Sequence, residues 1–454
     1  MNPNIFREYD IRGHAERDLS DEFVLDLGRA LGTFQRRLGN KRLAVGRDCR
    51  LSSDRLHRAL TAGLMEAGVE LVDVGRVPSP LLYFAVFHLD LDGGVQITGS
   101  HNPGDENGFK MMRGKASLFG DEVRSLRQMI EARDFDLPGG GSIVSEDVLP
   151  AYTGFMKGNI RLARTDLRFA IDAGNGAGGP SSIAASRALG LNPVPLLCEM
   201  DGNFPVHHPD PAELENLELL RRTVLSNRLE FGIAFDGDAD RIGVIDDQGE
   251  IIWGDQLMIL LSRAVLHDRP GAAILGEVKC SQTLYDDIAA NGGRPILWKT
   301  GHSLIKAKMK EESALLAGEM SGHIFFADRY YGFDDATYAM LRLAEIVAAA
   351  DRPLSELLAD VPKTHSTPEI RVACADELKF GVVERVLAHY RPTHDVVDVD
   401  GARVNFGDGW GLVRASNTQP VLVLRFEAQS EDRMQAIRQE IEALVEQIRA
   451  EDAT

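Results

Sequence analysis

The sequence predicts an α/β protein, with three related mixed α/β domains built on largely parallel sheets and a smaller C-terminal α+β domain. Two observations carry this. A strand, polar loop, helix and strand arrangement recurs three times, and such alternation implies parallel strands joined by right-handed crossovers. From about Pro362 the pattern changes to helices flanking hairpin-connected strands. A chain of 454 residues accommodates about three or four domains. The expected ranges are 1–145, 146–250, 251–362 and 363–454, with boundaries sought near LPGGGS (137–142), DDQGE (246–250) and VPKTHSTP (361–368).

The first unit opens with the apolar strand and loop RLAVGRDCR (42–50), continues through the helical SDRLHRALTAGLMEAG and the strand VELVDVG, and closes on a serine turn. The second opens with RFAIDAGNGAGG (168–179), followed by a small-residue helix, and closes with EFGIAFDGDADR. The third runs from AAILGEVKCS (272–281) through the helix QTLYDDIAANGG, the strand RPILWKTGHS and the helix LIKAKMKEE to LAGEMSGH. In the last domain, the helix DELKFGVVERVLAHY precedes DVVDVDGARVNF, GDGWG and LVRASNTQPVLVLRFEAQS. A final amphipathic helix then aligns Met434, Ile437, Ile441, Leu444 and Ile448.

Hydrophobic residues make up 44% of the chain and charged residues 26%, ordinary values for a folded globular protein. The net charge of −19 opposes binding to nucleic acid or to an anionic membrane, because affinity for phosphate-rich surfaces comes from clustered Lys and Arg. An anionic small substrate therefore requires a locally basic pocket. Cys49, Cys198, Cys280 and Cys374 lie far apart with no CxxC pair, which points to reduced thiols and to neither a zinc site nor a disulfide framework. The first residues, MNPNIFREYDIRG, lack a basic start followed by an apolar stretch, and no apolar run reaches membrane-spanning length, so a cytoplasmic protein is expected.

Four loops carry chemistry. In ITGSHNPGDENG (97–108) an apolar strand ends at Ser100, where Gly99 and Asn102-Pro103 stop regular structure. That places the hydroxyl at the sheet edge where α/β proteins bind ligands, as a nucleophile or phosphate carrier; equally, the serine closes the turn through a backbone bond. In FDGDADR, Asp236, Asp238 and Asp240 alternate with small residues, so three carboxylates can converge on one hard cation, and Mg²⁺ suits a site that also receives phosphate oxygens. An EF-hand would need glycine at Arg241 and glutamate at Asp247. The alternative is a solvated acidic turn. In RASNTQP (414–420), Arg414 supplies a bidentate fork and Ser416, Asn417 and Thr418 supply hydroxyl and amide donors for a phosphate nest; an ordinary polar turn has the same composition. GEMSGH (318–323) offers Glu319 and Ser321 to sugar hydroxyls and His323 as a proton carrier, or is a capped turn. DAGNGAGG lacks the GxGxxG register of a dinucleotide site.

With YDIRG (9–13), TGSHNP (98–103), DGDADR (236–241), GEMSGH (318–323) and RASNTQP (414–420) in this order along essentially the whole chain, the sequence closely resembles the α-D-phosphohexomutase superfamily, in its bacterial phosphomannomutase/phosphoglucomutase branch. The resemblance implies four domains around a central cleft. It implies an intramolecular phosphotransferase that interconverts hexose 1- and 6-phosphates of mannose, glucose or both, through phospho-Ser100 and a glucose or mannose 1,6-bisphosphate intermediate. Mg²⁺ would be held by Asp236, Asp238, Asp240 and a phosphoserine oxygen. Arg12, Lys110 and Arg241 match residues lining the phosphoserine, His101 follows the nucleophile, and His323 matches a general acid/base. Glu319 and Ser321 match sugar-hydroxyl readers, Lys279 and His302 further cleft residues, and Tyr9 a ligand-contacting tyrosine. Arg414, Ser416, Asn417 and Thr418 match a clamp for the phosphate that is not reacting. The implied partners are small hexose phosphates; as the charge already indicates, no nucleic acid or membrane partner is expected, and a monomer is the expected state although the sequence leaves oligomerisation open.

Two departures stand out. Ala239 replaces a common glycine, and Gln419 replaces a common glutamate beside the clamp. Three competing readings remain. A haloacid-dehalogenase-type phosphatase or mutase would use Asp236 as nucleophile and leave Ser100 without a role. A phosphoglucosamine mutase would more often carry GEQSGH. A sugar-phosphate sensor would bind without turnover.

Overall fold

The computed structural model describes residues 2–416 and 419–452. Four sheets follow one another along the chain. In the first, the strands Arg42–Arg47, Glu70–Arg76, Gly93–Ile97 and Ser142–Ser145 run parallel, and Glu106–Arg113 and Ile11–His14 add an antiparallel edge. The second places Phe169–Asp172, Val194–Leu196 and Phe231–Phe235 in parallel, with Ile242–Asp246 and Ile251–Ile252 antiparallel. The third pairs Ala273–Glu277 in parallel with Arg294–Trp298 and Leu316–Gly318, and Ile324–Phe326 closes it antiparallel. The fourth is antiparallel throughout, centred on Gly409–Ala415 and Val421–Ala428. Three mixed α/β layers and a terminal α+β unit are thus in place.

The glycine-rich stretch at 137–142 leads directly into Ser142–Ser145, which pairs with Glu70–Arg76, so it is a connection within the first sheet. The turn at 246–250 joins two paired strands, and the second sheet continues to Ile252.

Local chemistry explains the elements that position the cleft. The helix Asp21–Arg37 starts on Ser20, whose hydroxyl accepts from Phe23 N at 3.3 Å, and it carries acids in its first turn and arginines in its last, as the helix dipole favours. Gly28 lets this helix touch its neighbour Ser53–Glu66, because a Cβ there would lie 2.3 Å from Leu60 O. The helix Ser79–His88 is apolar on all sides and buried along most of its length, as a helix wedged between layers must be.

That wedge fuses the first three layers. One continuous apolar core runs from Leu82 and Phe84 through Tyr152, Phe169 and Phe231 to Phe326 and Tyr338. The fourth unit has its own core, in which Met434, Ile437, Ile441 and Ile448 of the last helix are buried; Val445 joins them, while Leu444 is only partly covered. A small cluster of Val278, Trp410 and Leu412 connects it to the third layer. No helix among the described residues is long and apolar enough to cross a membrane. The four cysteines are unbridged.

Candidate functional site

The serine turn leaves its strand at Ile97, and Ser100 occupies the left-handed region at φ +48°, a conformation that costs a non-glycine residue about 1 kcal/mol or more and persists only where surroundings impose it. Arg50 imposes it. This buried guanidinium donates to the carbonyl oxygens of Ser100 (2.8 Å), Asn102 (2.5 Å), Pro103 and Glu106 (2.8 Å), gathering the whole turn around one cation. Asp48 accepts from Gly99 N at 3.1 Å and pairs with Arg50 at 3.3 Å, so the turn is held from both ends. Ser100 itself is 2% exposed.

The carboxylate loop meets this turn edge to edge. Gly237 has no side chain where a Cβ would lie 2.4 Å from Ser100 O, which explains the residue type. Ser100 Oγ donates to Asp236 Oδ2 at 2.7 Å and lies 3.1 Å from His101 Nδ1. Asp236 Oδ1 accepts from the backbone N–H groups of Asp240 and Arg241, both at 3.1 Å. Asp238 Oδ2 accepts from Ser79 Oγ at 2.5 Å and from Lys110 Nζ at 2.7 Å, and Lys110 also bonds Asp240. Ser79 heads the apolar helix, so its positive end faces Asp238.

These three aspartates are fully buried, and one oxygen of each lies within 4.8 Å of the others. Oδ1 of Asp238 and Oδ1 of Asp240 have no hydrogen-bond partner among the described residues. Buried carboxylate oxygens without donors, in an all-oxygen set, fit a hard divalent cation. The electrostatics agree. Burial, reinforced by Asp240 and Asp238, pushes the Asp236 carboxyl well above the usual range. Burial works the same way on Asp238, but the Lys110 ammonium overrides it and holds that carboxyl low. Lys110 in turn is held well above its ordinary value by Asp238 and Asp240, against the effect of burial. Burial, with Arg241, Arg12 and Lys110 nearby, keeps His101 neutral at pH 7.

Arg12 reaches the turn through Asn102 Oδ1 at 3.1 Å and is oriented by Asp10 at 2.6 Å. Arg241 Nε donates to His323 Nε2 at 3.0 Å, which puts the ring proton of neutral His323 on Nδ1, facing Asp334 at 3.1 Å and Asp240 at 3.6 Å. His302 stacks on His323 with ring centroids 5.6 Å apart, and neither of its nitrogens has a hydrogen-bond partner among the described residues, although Nδ1 lies 3.9 Å from Asp334. Tyr9 packs edge-on against His302 and donates to Thr300 O at 3.1 Å. Glu319 accepts from Gly301 N at 2.6 Å and from Ser321 Oγ at 3.3 Å, and stands 4.0 Å from His323.

Farther along, Lys279 donates to Glu369 at 2.5 Å, and Arg414 to Asp400 at 3.1 Å. Ser416 Oγ accepts from Gln419 N at 3.2 Å. Asn417 and Thr418 lie outside the described residues. The other predicted residues therefore form one run from Ser100 to Arg414, bridged by Thr300, which contacts Tyr9, Glu277 and Asp400. Sequence reasoning missed Arg50, Asp48, Ser79, Glu277, Thr300, Asp334, Glu369 and Asp400. Arg50 and Asp48 had a signal, since GRDCR follows a strand to the same sheet edge.

Comparison with known proteins adds four matches in order. The phosphoglucomutase/phosphomannomutase alpha/beta/alpha domains I, II and III match residues 3–136, 150–249 and 253–365, and the C-terminal domain of the same family matches 369–444. A phosphomannomutase/phosphoglucomutase of Pseudomonas aeruginosa is 44% identical over 436 residues, covering 96% of this chain and 94% of that protein. A phosphoglucomutase of Neisseria gonorrhoeae is 42% identical over 447 residues, covering 98% and 97%. The crystal structure of a phosphoglucomutase/phosphomannomutase family protein from Burkholderia thailandensis superposes with a TM-score of 0.94 at 42% identity, covering 99% of this chain and 98% of that one.

Proposed function

The chain belongs to the phosphoglucomutase/phosphomannomutase family and is a hexose-phosphate mutase, and from this premise we propose that it works through a phosphorylated Ser100 and a bound hexose 1,6-bisphosphate. One observation carries the reading: Ser100 Oγ is held 2.7 Å from a metal-competent carboxylate and beside His101, on which the charges of Arg241, Arg12 and Lys110 all act. A serine that only closed a turn would not need this setting.

In the forward half-reaction, the bond between phosphorus and Ser100 Oγ breaks while one forms to the free hydroxyl oxygen of a hexose monophosphate. The hydroxyl proton passes to a base, for which His323 is the candidate: its Nε2 lone pair, which accepts from Arg241 Nε in the empty site, takes the proton once that guanidinium turns to the phosphate. After the bisphosphate turns around, the other phosphoryl group returns to Ser100 Oγ and the isomer leaves. Asp236, Asp238 and Asp240 would hold Mg²⁺, which supplies neutralisation of charge on the transferring group. Lys110 and Arg12 add fixed positive charge at the same place. His101, neutral and beside Oγ, orients the nucleophile.

Glu319 and Ser321 read sugar hydroxyls, Tyr9 and His302 line the cleft, and Lys279, Arg414 and Ser416 with Asn417 and Thr418 hold the distal phosphate. Arg414 and Ser416 sit on a unit with its own core while Lys279 belongs to the third layer, which suits a domain that moves to let a bisphosphate reorient without escape. The ranges 1–145, 146–250, 251–362 and 363–454, with the second extended to Ile252 as its sheet requires, are proposed as its four working units, with mannose and glucose phosphates both accepted and the enzyme acting as a cytoplasmic monomer. The aspartyl-phosphate reading loses ground because Asp236 Oδ1 already receives two backbone donors and Oδ2 receives Ser100.

Peptide-mapped mass spectrometry before and after mixing with glucose 1,6-bisphosphate tests the route. Phosphate on the Ser100 peptide, lost to excess hexose monophosphate and restored by bisphosphate, is the expected result. Phosphate on Asp236 would overturn it.

A further inference from the structure

The clamp cations already carry anions. Lys279 Nζ bonds Glu369 Oε1 at 2.5 Å and lies 3.5 Å from Glu277, while Arg414 bonds Asp400. Lys279 and Arg414 are near enough to repel one another, so a phosphate between them would meet two cations and three carboxylates.

The three carboxylates are not equally fixed. Glu277 is fully buried and accepts from Met320 N at 3.0 Å and from Thr300 Oγ1. Asp400 also accepts from Thr300 N at 3.0 Å. Glu369 differs. Its side chain keeps 23% exposure, its only hydrogen bond among the described residues is to Lys279, and its second contact is Arg371 at 3.8 Å, itself 60% exposed. It lies between the strands His365–Ser366 and Ile370–Ala373, where the third family match ends and the fourth begins. Glu369 can therefore swing into water and leave no other bond unmade. Against burial, Lys279 and Arg371 keep it ionised, so what leaves is a carboxylate.

We propose that Glu369 is a built-in stand-in for the substrate phosphate, holding Lys279 while the clamp is empty and exchanged for the phosphate of a hexose mono- or bisphosphate on binding. This rests on reading Lys279 and Arg414 as the distal phosphate clamp. A buried ammonium is expensive unless it is both paired and hydrogen-bonded; Glu277 at 3.5 Å gives Lys279 a counter-ion, and Glu369 supplies its only side-chain hydrogen bond among the described residues in the empty enzyme. Phosphate binding is then an exchange of one anion for another, with affinity reduced by the pair it breaks. A bisphosphate that has to leave the clamp, turn and re-enter needs such a weakened grip.

The test is calorimetric titration of dephosphorylated, metal-free protein with inorganic phosphate, for the wild type, E369Q, E369A, K279M and K279M/E369Q. Removing the competing charge is expected to tighten phosphate binding about tenfold in E369Q and E369A, the scale of one modest ion pair released from competition. The gain should vanish when K279M is combined with E369Q. In turnover, E369Q should lower KM for glucose 1-phosphate and lower kcat with it, because release slows. Unchanged or weaker phosphate binding in both Glu369 variants would overturn the proposal, as would a gain that survives K279M. Absence of mutase turnover in the wild type would instead strike the clamp reading, and the phosphate titration reports separately from it.

Discussion

Ser100 Oγ and Asp236 Oδ2 stand 2.7 Å apart, joining loops from two different sheets. The serine is therefore positioned by a residue 136 places away, and the two loops form one unit of chemistry. Ser100→Ala should cut steady-state turnover of glucose 1-phosphate at least about a thousandfold, the scale seen when a nucleophile is deleted, and leave the melting temperature near that of the wild type. Retained turnover would return the nucleophile's role to Asp236.

Chelation should abolish turnover, and Mg²⁺ should restore it. Because the cation binds only the folded trio, saturation at a hundred times its dissociation constant should raise stability by about 2.7 kcal/mol, read as a rise in melting temperature. Asp238→Asn should remove most of that rise, since it takes away one of the oxygens without a donor.

Ala239 and Gly178 form a complementary pair. Ala239 sits at φ +55°, and a Cβ on Gly178 would lie 2.5 Å from the Ala239 methyl. Gly178→Ala alone should cost about 1–3 kcal/mol in denaturant melts, the range for an overpacked core. In an Ala239→Gly background the same change should cost less than about 1 kcal/mol. Additive costs would show that the two sites do not share one space.

Asp335 caps the helix Ala336–Ala349 and accepts from the hydroxyls of Tyr152 (2.9 Å) and Tyr330 (2.8 Å), yet burial raises its carboxyl from 3.8 to about 6. A raised folded value means stability that is present in full below the unfolded value and lost as pH rises through the folded one. Between pH 4 and 6 the wild type should therefore lose on the order of 3 kcal/mol relative to Asp335→Asn, a residue that still caps the helix. Parallel pH dependences in urea melts would contradict this.

Docking of the fourth unit depends on Arg403, which donates to Val278 O at 2.6 Å and Cys280 O at 2.8 Å while stacked 3.8 Å over the Trp410 ring. Arg403→Ala should loosen docking by about 1.5–3 kcal/mol, seen as a higher KM for hexose phosphates. Solution scattering of the wild type should show compaction with glucose 1,6-bisphosphate. An unchanged radius of gyration would remove domain closure from the mechanism.

What the sequence disclosed, and what it hid, follows from range. Asp236, Asp238 and Asp240 are neighbours in the chain, so their convergence is written in five residues. Strand and helix alternation likewise repeats locally, which is why the three layers and the terminal unit could be read. Ser79 acts on Asp238 from 159 residues away and Lys110 from 128, and no local pattern announces such partners. Asp334 was silent for a related reason: in YYGFDD it looks like an exposed acidic turn, and only the fold buries it against His323 and Lys306. The helix Ser79–His88, apolar on every side, has no periodicity to announce which layers it joins.

The cage that Arg50 makes from four carbonyl oxygens has a consequence for anyone who wishes to transplant the serine turn. Residues 97–108 copied into a foreign scaffold would bring the sequence of the turn without the cation that shapes it. The smallest portable cassette includes the strand Arg42–Arg47 and the loop through Arg50, and its inheritance is a property of two segments rather than one.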